Sequence, residues 1–274
     1  MNILQIIIVF IVIALIAIAC FPKKKADYVL LYNIEKPSVK MELPQKLKEI
    51  SGLSYYKENR LACVNDEKGT VFIYDLTTQE IVETIDIGKN GDYEGIEVVD
   101  DEIFIMKSNG KIKGFKINDS SERKIDCTNE DVKEYEGLGY NPTTNALLLV
   151  TKEKEKDKND KKTIYSYSLE TEKFGKYMTI TEEMIRGDDG KKTFAPSGIA
   201  VHPQTGELYV ISSQGKKLLI LSPKGEKNDL IELNPQMFLQ PEGICFTPNG
   251  DLYISSEGDG GNGYILKFEY LMKK

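Results

Sequence analysis

Histidine is almost absent from this sequence: among 274 residues, His202 is the only one. A metal centre built from several histidines is therefore excluded. His202 lies in the segment AVHPQTGELYV, where Pro and a Thr-Gly pair between apolar runs indicate a turn joining two strands. This context counts against a Ser-His-Asp triad, and we expect a structural role for His202 in the turn.

The sequence also lacks a surplus of positive charge. It contains 36 Lys and Arg against 43 Asp and Glu, a net charge of −7, and the two signs are interspersed. No basic stripe that could follow a phosphate backbone is present, so we do not expect nucleic-acid binding. No Gly-rich loop leads from a strand into a helix, which leaves nucleotide binding unsupported. The balance of 29% charged and 41% hydrophobic residues is that of a soluble globular domain.

Cysteine is scarce and shows no metal-binding spacing. Apart from Cys20, the sequence has Cys63, Cys127 and Cys245, an odd number at wide separations. Two of them stand inside apolar strand patterns, which favours buried free thiols. A disulfide between Cys63 and Cys245 is the alternative, and it requires the fold to bring them together.

One long hydrophobic run is present, at residues 3–19, and it has the length of a signal sequence or a short membrane span. It ends ALIAIAC, which resembles the lipobox of bacterial lipoproteins. In that interpretation Cys20 is acylated and becomes the new N-terminus, and the protein is lipid-anchored in the cell envelope, on the periplasmic or surface side.

An uncleaved inner-membrane anchor is the alternative interpretation of the same run. Ala17 stands where a lipobox usually has Leu or Val, and Met1-Asn2 carries no positive charge. In an anchor, the lysines at 23–25 would favour the cytoplasmic side. Either way, we assign residues 1–20 to the signal or anchor, 21–27 to a linker and 28–274 to the folded domain.

A repeat organises the sequence after Tyr28. An acidic or hydroxyl residue followed by Gly and a branched aliphatic residue occurs five times, with glycines separated by 43, 42, 61 and 45 residues. Alternating apolar strands and Gly/Asn/Asp turns follow each occurrence. The five matches are Ser51-Gly52-Leu53, Glu94-Gly95-Ile96, Glu136-Gly137-Leu138, Ser197-Gly198-Ile199 and Glu242-Gly243-Ile244.

Four antiparallel strands in each repeat predict an all-β fold, a β-propeller of five blades; length alone would also permit six. The long interval contains a charged hairpin tip at residues 152–162 and a helical turn near TITEEMIRGDD. The segment KPSVKMELP before the first repeat supplies the strand that the last repeat lacks, which would close the ring.

The residues before the repeated glycines are candidates for a metal site. Each stands at the entry to the strand that lines the central channel, so Glu94, Glu136 and Glu242 should meet at one channel mouth with Ser51 and Ser197. Carboxylates crowded there would repel one another, and oxygen ligands suit calcium. Alternatively, the glutamates accept backbone hydrogen bonds that join adjacent blades. Weaker candidates for the metal, from turns beside the ring, are Asn65, Asp66 and Glu257.

The segments YEGIEVVDDEIFIM, YEGLGYNPTTNALLLV, FAPSGIAVHPQTGELYVIS and QPEGICFTPNGDLYISSE are similar to the SdiA-regulated family of bacterial β-propeller proteins. The resemblance covers the chain from about Tyr28 to its end. It implies a five-bladed propeller with a calcium site and a hydrophobic N-terminal segment, and its Glu-Gly repeats match Glu94, Glu136 and Glu242. It implies no particular reaction, and the catalytic residues are unknown.

Two functions follow from these observations. The first is a monomeric, envelope-anchored module that binds calcium and an unidentified small molecule or protein. The second is a calcium-dependent hydrolase of the lactonase or phosphoesterase type, in which a carboxylate beside the metal serves as base. Since the candidate ring is mainly acidic, the binding module is favoured over chemistry on phosphate esters.

Overall fold

The computed structural model describes residues 28–117, 119, 121–152 and 162–272. The hydrophobic run with Cys20, the proposed linker and most of the charged hairpin tip lie outside the described residues. Within those residues, no helix combines the length and the apolar character needed to cross a bilayer.

The chain forms five sheets of four antiparallel strands, which confirms the five-bladed propeller. Blade 1 contains β2 (Ile50–Tyr55), β3 (Arg60–Asn65), β4 (Thr70–Asp75) and β5 (Glu80–Asp86). Blade 2 contains β6 (Tyr93–Val99), β7 (Glu102–Lys107), β8 (Lys111–Lys116) and β9 (Glu122–Asp126). Blade 3 contains β10 (Tyr135–Asn141), β11 (Ala146–Thr151), β12 (Lys162–Ser168) and β13 (Phe174–Ile180). Blade 4 contains β14 (Ala195–Val201), β15 (Leu208–Gln214), β16 (Lys217–Leu221) and β17 (Lys227–Glu232).

Blade 5 joins the two ends of the described chain. It contains β18 (Gln240–Phe246), β19 (Leu252–Glu257), β20 (Tyr264–Phe268) and, at its outer edge, β1 (Val39–Glu42). Val39 lies opposite Lys267, and Glu42 lies opposite Tyr264. The predicted closure by KPSVKMELP is therefore confirmed, and it pairs the edge that β20 would otherwise expose.

The core lies between neighbouring blades, because the middle strands bury both faces. In blade 1, β3 and β4 are almost wholly buried, whereas the outermost strand β5 alternates exposed and half-buried residues. Side chains of blade 1 pack against the facing sheet of blade 2 in one apolar cluster. Its members include Ala62, Val64, Val71, Ile73, Ile96, Ile103 and Ile105.

The five repeated glycines allow the inner strands to approach one another closely. None of these five described glycines has a positive φ, so backbone conformation does not require them. A Cβ atom at Gly198 would lie 2.5 Å from the Glu242 carbonyl oxygen, and one at Gly137 would lie 2.9 Å from Gly198 Cα. The channel between the inner strands encloses about 10 Å³, barely enough for one water molecule. The glycines therefore set the narrow bore of the channel.

Short helices occur at two places in the described chain. The first is a 3₁₀ helix, Gln45–Leu47, and the second is α1, Glu182–Ile185, in the predicted helical turn. Thr181 is the N-cap residue of α1, but its side chain makes no capping hydrogen bond.

His202 and the cysteines have the structural roles expected from the sequence. His202 is fully buried after β14, and its Nδ1 accepts hydrogen bonds from the backbone N–H groups of Gln204 and Thr205. Burial lowers the pKa of His202 to about 4, so the ring is neutral at physiological pH. Cys63 and Cys245 share one core cluster, yet both are free and buried, as is Cys127.

Candidate functional site: an acidic channel mouth

A β-bulge stands at the entry to each of the five inner strands. In β6, Tyr93 pairs with Lys107 and Gly95 pairs with Met106, so Glu94 has no partner across the ladder. The pairing shifts at the same place in the other four inner strands. A bulge turns the side chain of its extra residue away from the regular alternation. The residues at these bulges are Ser51, Glu94, Glu136, Ser197 and Glu242.

The two serines of this ring join adjacent blades. Ser51 Oγ donates a hydrogen bond to the Tyr93 carbonyl at 2.7 Å, and Ser197 Oγ donates to the Pro241 carbonyl at 2.7 Å. Both acceptors directly precede a ring glutamate in the next blade. The joining role that the sequence left open for the glutamates is therefore performed by the serines, which are buried and occupied.

Glu136 is held by a lysine that directly follows the next strand of its own blade. Its side chain is only 4% exposed, and Oε1 lies 2.5 Å from Lys152 Nζ; apart from this ion pair, Oε1 has no hydrogen-bond partner among the described residues. Burial raises the pKa of Glu136 to about 7, although Lys152 opposes the shift. Burial also disfavours the charged form of Lys152, but Glu136, Glu134 and Glu94 outweigh that cost and raise its pKa.

Glu94 belongs to a compact group of three carboxyls. Oxygen atoms of Asp92, Glu94 and Glu134 all lie within 4.8 Å of one another. Burial is the main cause that raises the pKa of Glu94 to about 9, with further contributions from Glu136 and from a hydrogen bond shared with Asp92. Two carboxyls that share a hydrogen bond need a proton between them, so this group holds a proton at neutral pH.

Glu242 and two weaker candidates extend the group of carboxyls across the mouth. Burial, followed by the charges of Glu136 and Glu257, raises the pKa of Glu242 to about 8. Burial and the nearby Asp66 raise the pKa of Glu257 to about 7. The pKa of Asp66 is raised in turn, first by burial and then by Glu49, and its Oδ1 atom is buried with no hydrogen-bond partner in the described chain.

Asn65, the remaining candidate, stabilises the loop that follows β3 through hydrogen bonds to backbone groups. Its Nδ2 donates to the Lys46 carbonyl, and its Oδ1 accepts from the Lys68 N–H at 2.9 Å. Both ends of the amide are therefore engaged by backbone. We define the acidic mouth as the group of seven carboxyl residues Asp66, Asp92, Glu94, Glu134, Glu136, Glu242 and Glu257.

Comparison with known families identifies the propeller. The family model described as SdiA-regulated matches residues 32–259. The chain belongs to the SdiA-regulated family. The matched range includes every carboxyl of the acidic mouth. No curated protein matches the chain in sequence.

Solved structures share the fold of this SdiA-regulated protein. A crystal structure of a nidogen/laminin complex superposes with a TM-score of 0.53 and 16% identity, over 76% of this chain and 72% of that one. A structure of luciferin-regenerating enzyme superposes with a TM-score of 0.54 and 15% identity, over 87% of this chain and 97% of that one. At such identities the likeness concerns the fold alone.

Three residues of the SdiA-regulated propeller's mouth were missed by sequence reasoning: Asp92, Glu134 and Lys152. A signal for the two acids was present, because DYEG and EYEG place a second acid two residues before the ring glutamate. Residues two apart in a strand share a face, so the pairs could have been grouped. Lys152 had no such signal, since its approach to Glu136 depends on the bulge in β10.

Proposed function

We propose that the protein is a calcium-binding interaction module whose working surface is the acidic mouth. The observation that carries the proposal is the excess of buried and half-buried, mutually repelling carboxyls: Glu94, Glu136, Glu242 and Glu257 all have pKa values of about 7 to 9. Lys152, which pairs with Glu136 and Glu134, is the one ammonium that forms ion pairs within the acidic mouth in the described chain. A divalent cation would relieve the repulsion that one ammonium leaves.

The residues of the mouth fit such a cation in type and spacing. Calcium takes oxygen ligands at about 2.3–2.6 Å, so two ligands on opposite sides of the ion lie roughly 5 Å apart. The separations of up to 4.8 Å among Asp92, Glu94 and Glu134 fall within that limit. In this proposal, these three residues form the centre of the site. Glu136 keeps Lys152 in place beside them, and Glu242 is a further carboxyl of the same mouth.

The narrow channel supports binding at a surface over chemistry in a deep pocket. The space beneath the ring encloses only about 10 Å³, so a ligand or partner protein would have to contact the rim of the mouth. Calcium held there would present a positive centre to acidic groups of the partner. The expected role is therefore calcium-dependent recognition.

A calcium-dependent hydrolase is the second candidate, and the titration of Glu257 beside the proposed site is the observation that favours it. A carboxyl with a pKa of about 7 is partly ionised at neutral pH and can act as a general base. Hydrolysis of lactones or phosphate esters that requires calcium and disappears in Glu257→Gln would establish this function. Activity that does not depend on calcium or on Glu257 would exclude it.

Calcium is expected to raise the melting temperature of the full-length protein above that measured with a chelator, because a cation that binds only the folded state stabilises it. At one hundred times the dissociation constant the gain is about 2.7 kcal/mol, or roughly 5–10 °C for a chain of this length. Thermal melting at increasing calcium concentrations measures this rise in melting temperature.

Two variants test whether the calcium response arises at the acidic mouth or at the other end of the channel. Asp92→Asn with Glu94→Gln should abolish the calcium response. The matched control is Glu97→Gln, which removes a carboxyl from the other end of β6, where Glu97 accepts hydrogen bonds from Ser54 and Val98. A melt that ignores calcium, or a response lost equally in both variants, would refute the proposed site.

A further inference from the structure

A cavity lined with lysines lies on the rim of blade 2, beside the acidic mouth. It has a volume of about 490 Å³ and is bounded by β7, β8, β9, the start of β6 and the connection from blade 1. That volume lies in the range typical of pockets for small organic ligands. Five lysines line what we call the lysine cavity: Lys89, Lys107, Lys111, Lys113 and Lys124.

This concentration of positive charge is unexpected in a chain with a net charge of −7. Lys113 on β8 stands directly opposite Lys124 on β9, an arrangement that is destabilising when nothing compensates the two charges. Lys113 is compensated in part, since its Nζ lies 2.5 Å from Glu122 Oε1 and donates to the Ile87 carbonyl. The strand pairing therefore places like charges together around an open space.

The other four lysines form no ion pair with a described residue. Lys107 Nζ lies 4.7 Å from the centre of the Tyr93 ring, a cation–π contact that leaves the ammonium accessible. Asp126 is the one acid among the lining residues; it stands directly opposite Lys111, and its Oδ1 accepts hydrogen bonds from the N–H and hydroxyl of Thr128. The positive charge of Lys89, Lys107 and Lys124 is therefore available to a ligand, and that of Lys111 is offset in part by Asp126.

The floor of the lysine cavity is apolar. Its side chains are Ile87, from the connection between blades 1 and 2, and Ile105 on β7, which belong with Tyr93 to one buried apolar cluster. Ile105 stands directly opposite Lys113, so it shares the face of the sheet that carries Lys113 and Lys124. Ile112 and Ile125 also border the cavity, but strand alternation turns their side chains to the opposite face, where they pack in a core cluster with residues of blade 3. An inorganic anion would leave this surface in contact with water, and an uncharged apolar molecule would leave the lysines unpaired.

We infer that the lysine cavity binds an amphipathic anion, a molecule with a phosphate or carboxylate head and a short apolar body. The head would receive charge-assisted hydrogen bonds from the unpaired lysines, and the body would cover the isoleucine floor. Such an anion could be a free metabolite or the headgroup region of an anionic lipid. This inference does not depend on calcium binding, because none of the five lysines belongs to the acidic mouth.

Calorimetric titration of the full-length protein with octyl phosphate tests the inference. Inorganic phosphate, which has only the charged head, and octanol, which has only the apolar body, are titrated for comparison. Octyl phosphate should bind at least about tenfold more tightly than either of these compounds, because only it uses both the charge and the apolar floor. Equal binding of inorganic phosphate, or no binding of octyl phosphate, would overturn the inference.

Two matched triple variants locate the binding. Lys107→Gln, Lys111→Gln and Lys124→Gln together should weaken octyl phosphate binding by about tenfold or more, since each lost contact with a charged partner matters. The control, Lys173→Gln, Lys176→Gln and Lys224→Gln, removes the same charge from exposed sites on blades 3 and 4. An equal loss of octyl phosphate affinity in the two triple variants would show that net charge alone is responsible, and would overturn the inference. An unchanged calcium response in the cavity variant would show that the acidic mouth is intact.

Vesicles distinguish the two sources of the anion. Vesicles of phosphatidylglycerol and of phosphatidylcholine are compared for sedimentation with the cavity and control variants. If the cavity variant alone loses a preference for phosphatidylglycerol, the anion is a lipid headgroup. If octyl phosphate binds in the cavity but vesicle sedimentation is the same for all variants, the anion is a free one.

Discussion

Gly198→Ala is expected to lower the melting temperature by about 4–8 °C, which corresponds to roughly 2 kcal/mol for a chain of this length. The new Cβ atom would lie 2.5 Å from the Glu242 carbonyl oxygen and 3.1 Å from a methyl group of Ile211. The closest of these atoms is backbone from the neighbouring blade, so relief requires the inner strands to move apart. Differential scanning calorimetry of the variant measures the loss.

Gly175→Ala is the matched control for this substitution. Gly175 also lies within a strand, β13, but a Cβ atom there would have no neighbour within 4 Å. This change should leave the melting temperature unaltered or raise it slightly, because alanine restricts the unfolded chain. If both variants melt alike, close approach of the inner strands is not what the repeated glycines provide.

The second large effect is a loss of stability at alkaline pH when calcium is removed. Glu94 and Glu242 have folded pKa values of about 9 and 8, against an ordinary value of 4.5. The folded state then binds more protons than the unfolded state, so the contribution of these two carboxyls to stability is full below pH 4.5 and is lost as pH rises towards 9. Between pH 6.5 and 9 we expect a loss of about 5 kcal/mol in chelator, of which Glu94 accounts for about 3, measured by urea denaturation.

Other buried groups titrate near this window. The depressed pKa of His202, about 4, reduces stability only as pH falls below 6.5. The carboxyls of Glu97, Glu136 and Glu257, with pKa values of about 7, add to the decline mainly at its acid end, and the buried thiols of Cys63 and Cys127 add to it only as pH approaches 9. Glu94→Gln should flatten the decline, because the amide resembles the protonated acid. Glu80→Gln, an exposed glutamate on β5, should leave it unchanged. Stability that is constant or rises from pH 6.5 to 9 would contradict the buried, repelling carboxyls.

The fold could be predicted because its signals repeat and lie close together in sequence. Five glycines mark five inner strands, and an extra strand before the first repeat, together with a missing strand in the last repeat, made closure by β1 foreseeable. Strand direction alone predicts that one ring at the channel mouth contains Ser51, Glu94, Glu136, Ser197 and Glu242. The five bulges that aim these side chains have no signature in the sequence, and neither do the partners that give serine and glutamate different roles at equivalent positions.

The finer composition of the site could not be predicted, because it depends on contacts between separate strands. Lys152 reaches Glu136 only through the register of β10 and β11. The lysine cavity could not be predicted either, because it also depends on contacts between separate strands. Lysines alternate with isoleucines in these strands, and such a pattern ordinarily indicates a strand with one face in solvent. Only the pairing of Lys113 with Lys124 shows that the charges surround one space.

Proton release on calcium binding is the measurement that tests the acidic mouth most directly. At pH 7 the carboxyl of Glu94, a proposed ligand, holds a proton, and a cation must displace it to bind. Calorimetric titration of the full-length protein in two buffers of different ionisation enthalpy should show release of roughly one proton per calcium, with affinity that increases from pH 6 to 9. Glu94→Gln should remove most of this release. Absence of calcium binding, or binding that neither releases protons nor depends on Glu94, would contradict a calcium site at the acidic mouth.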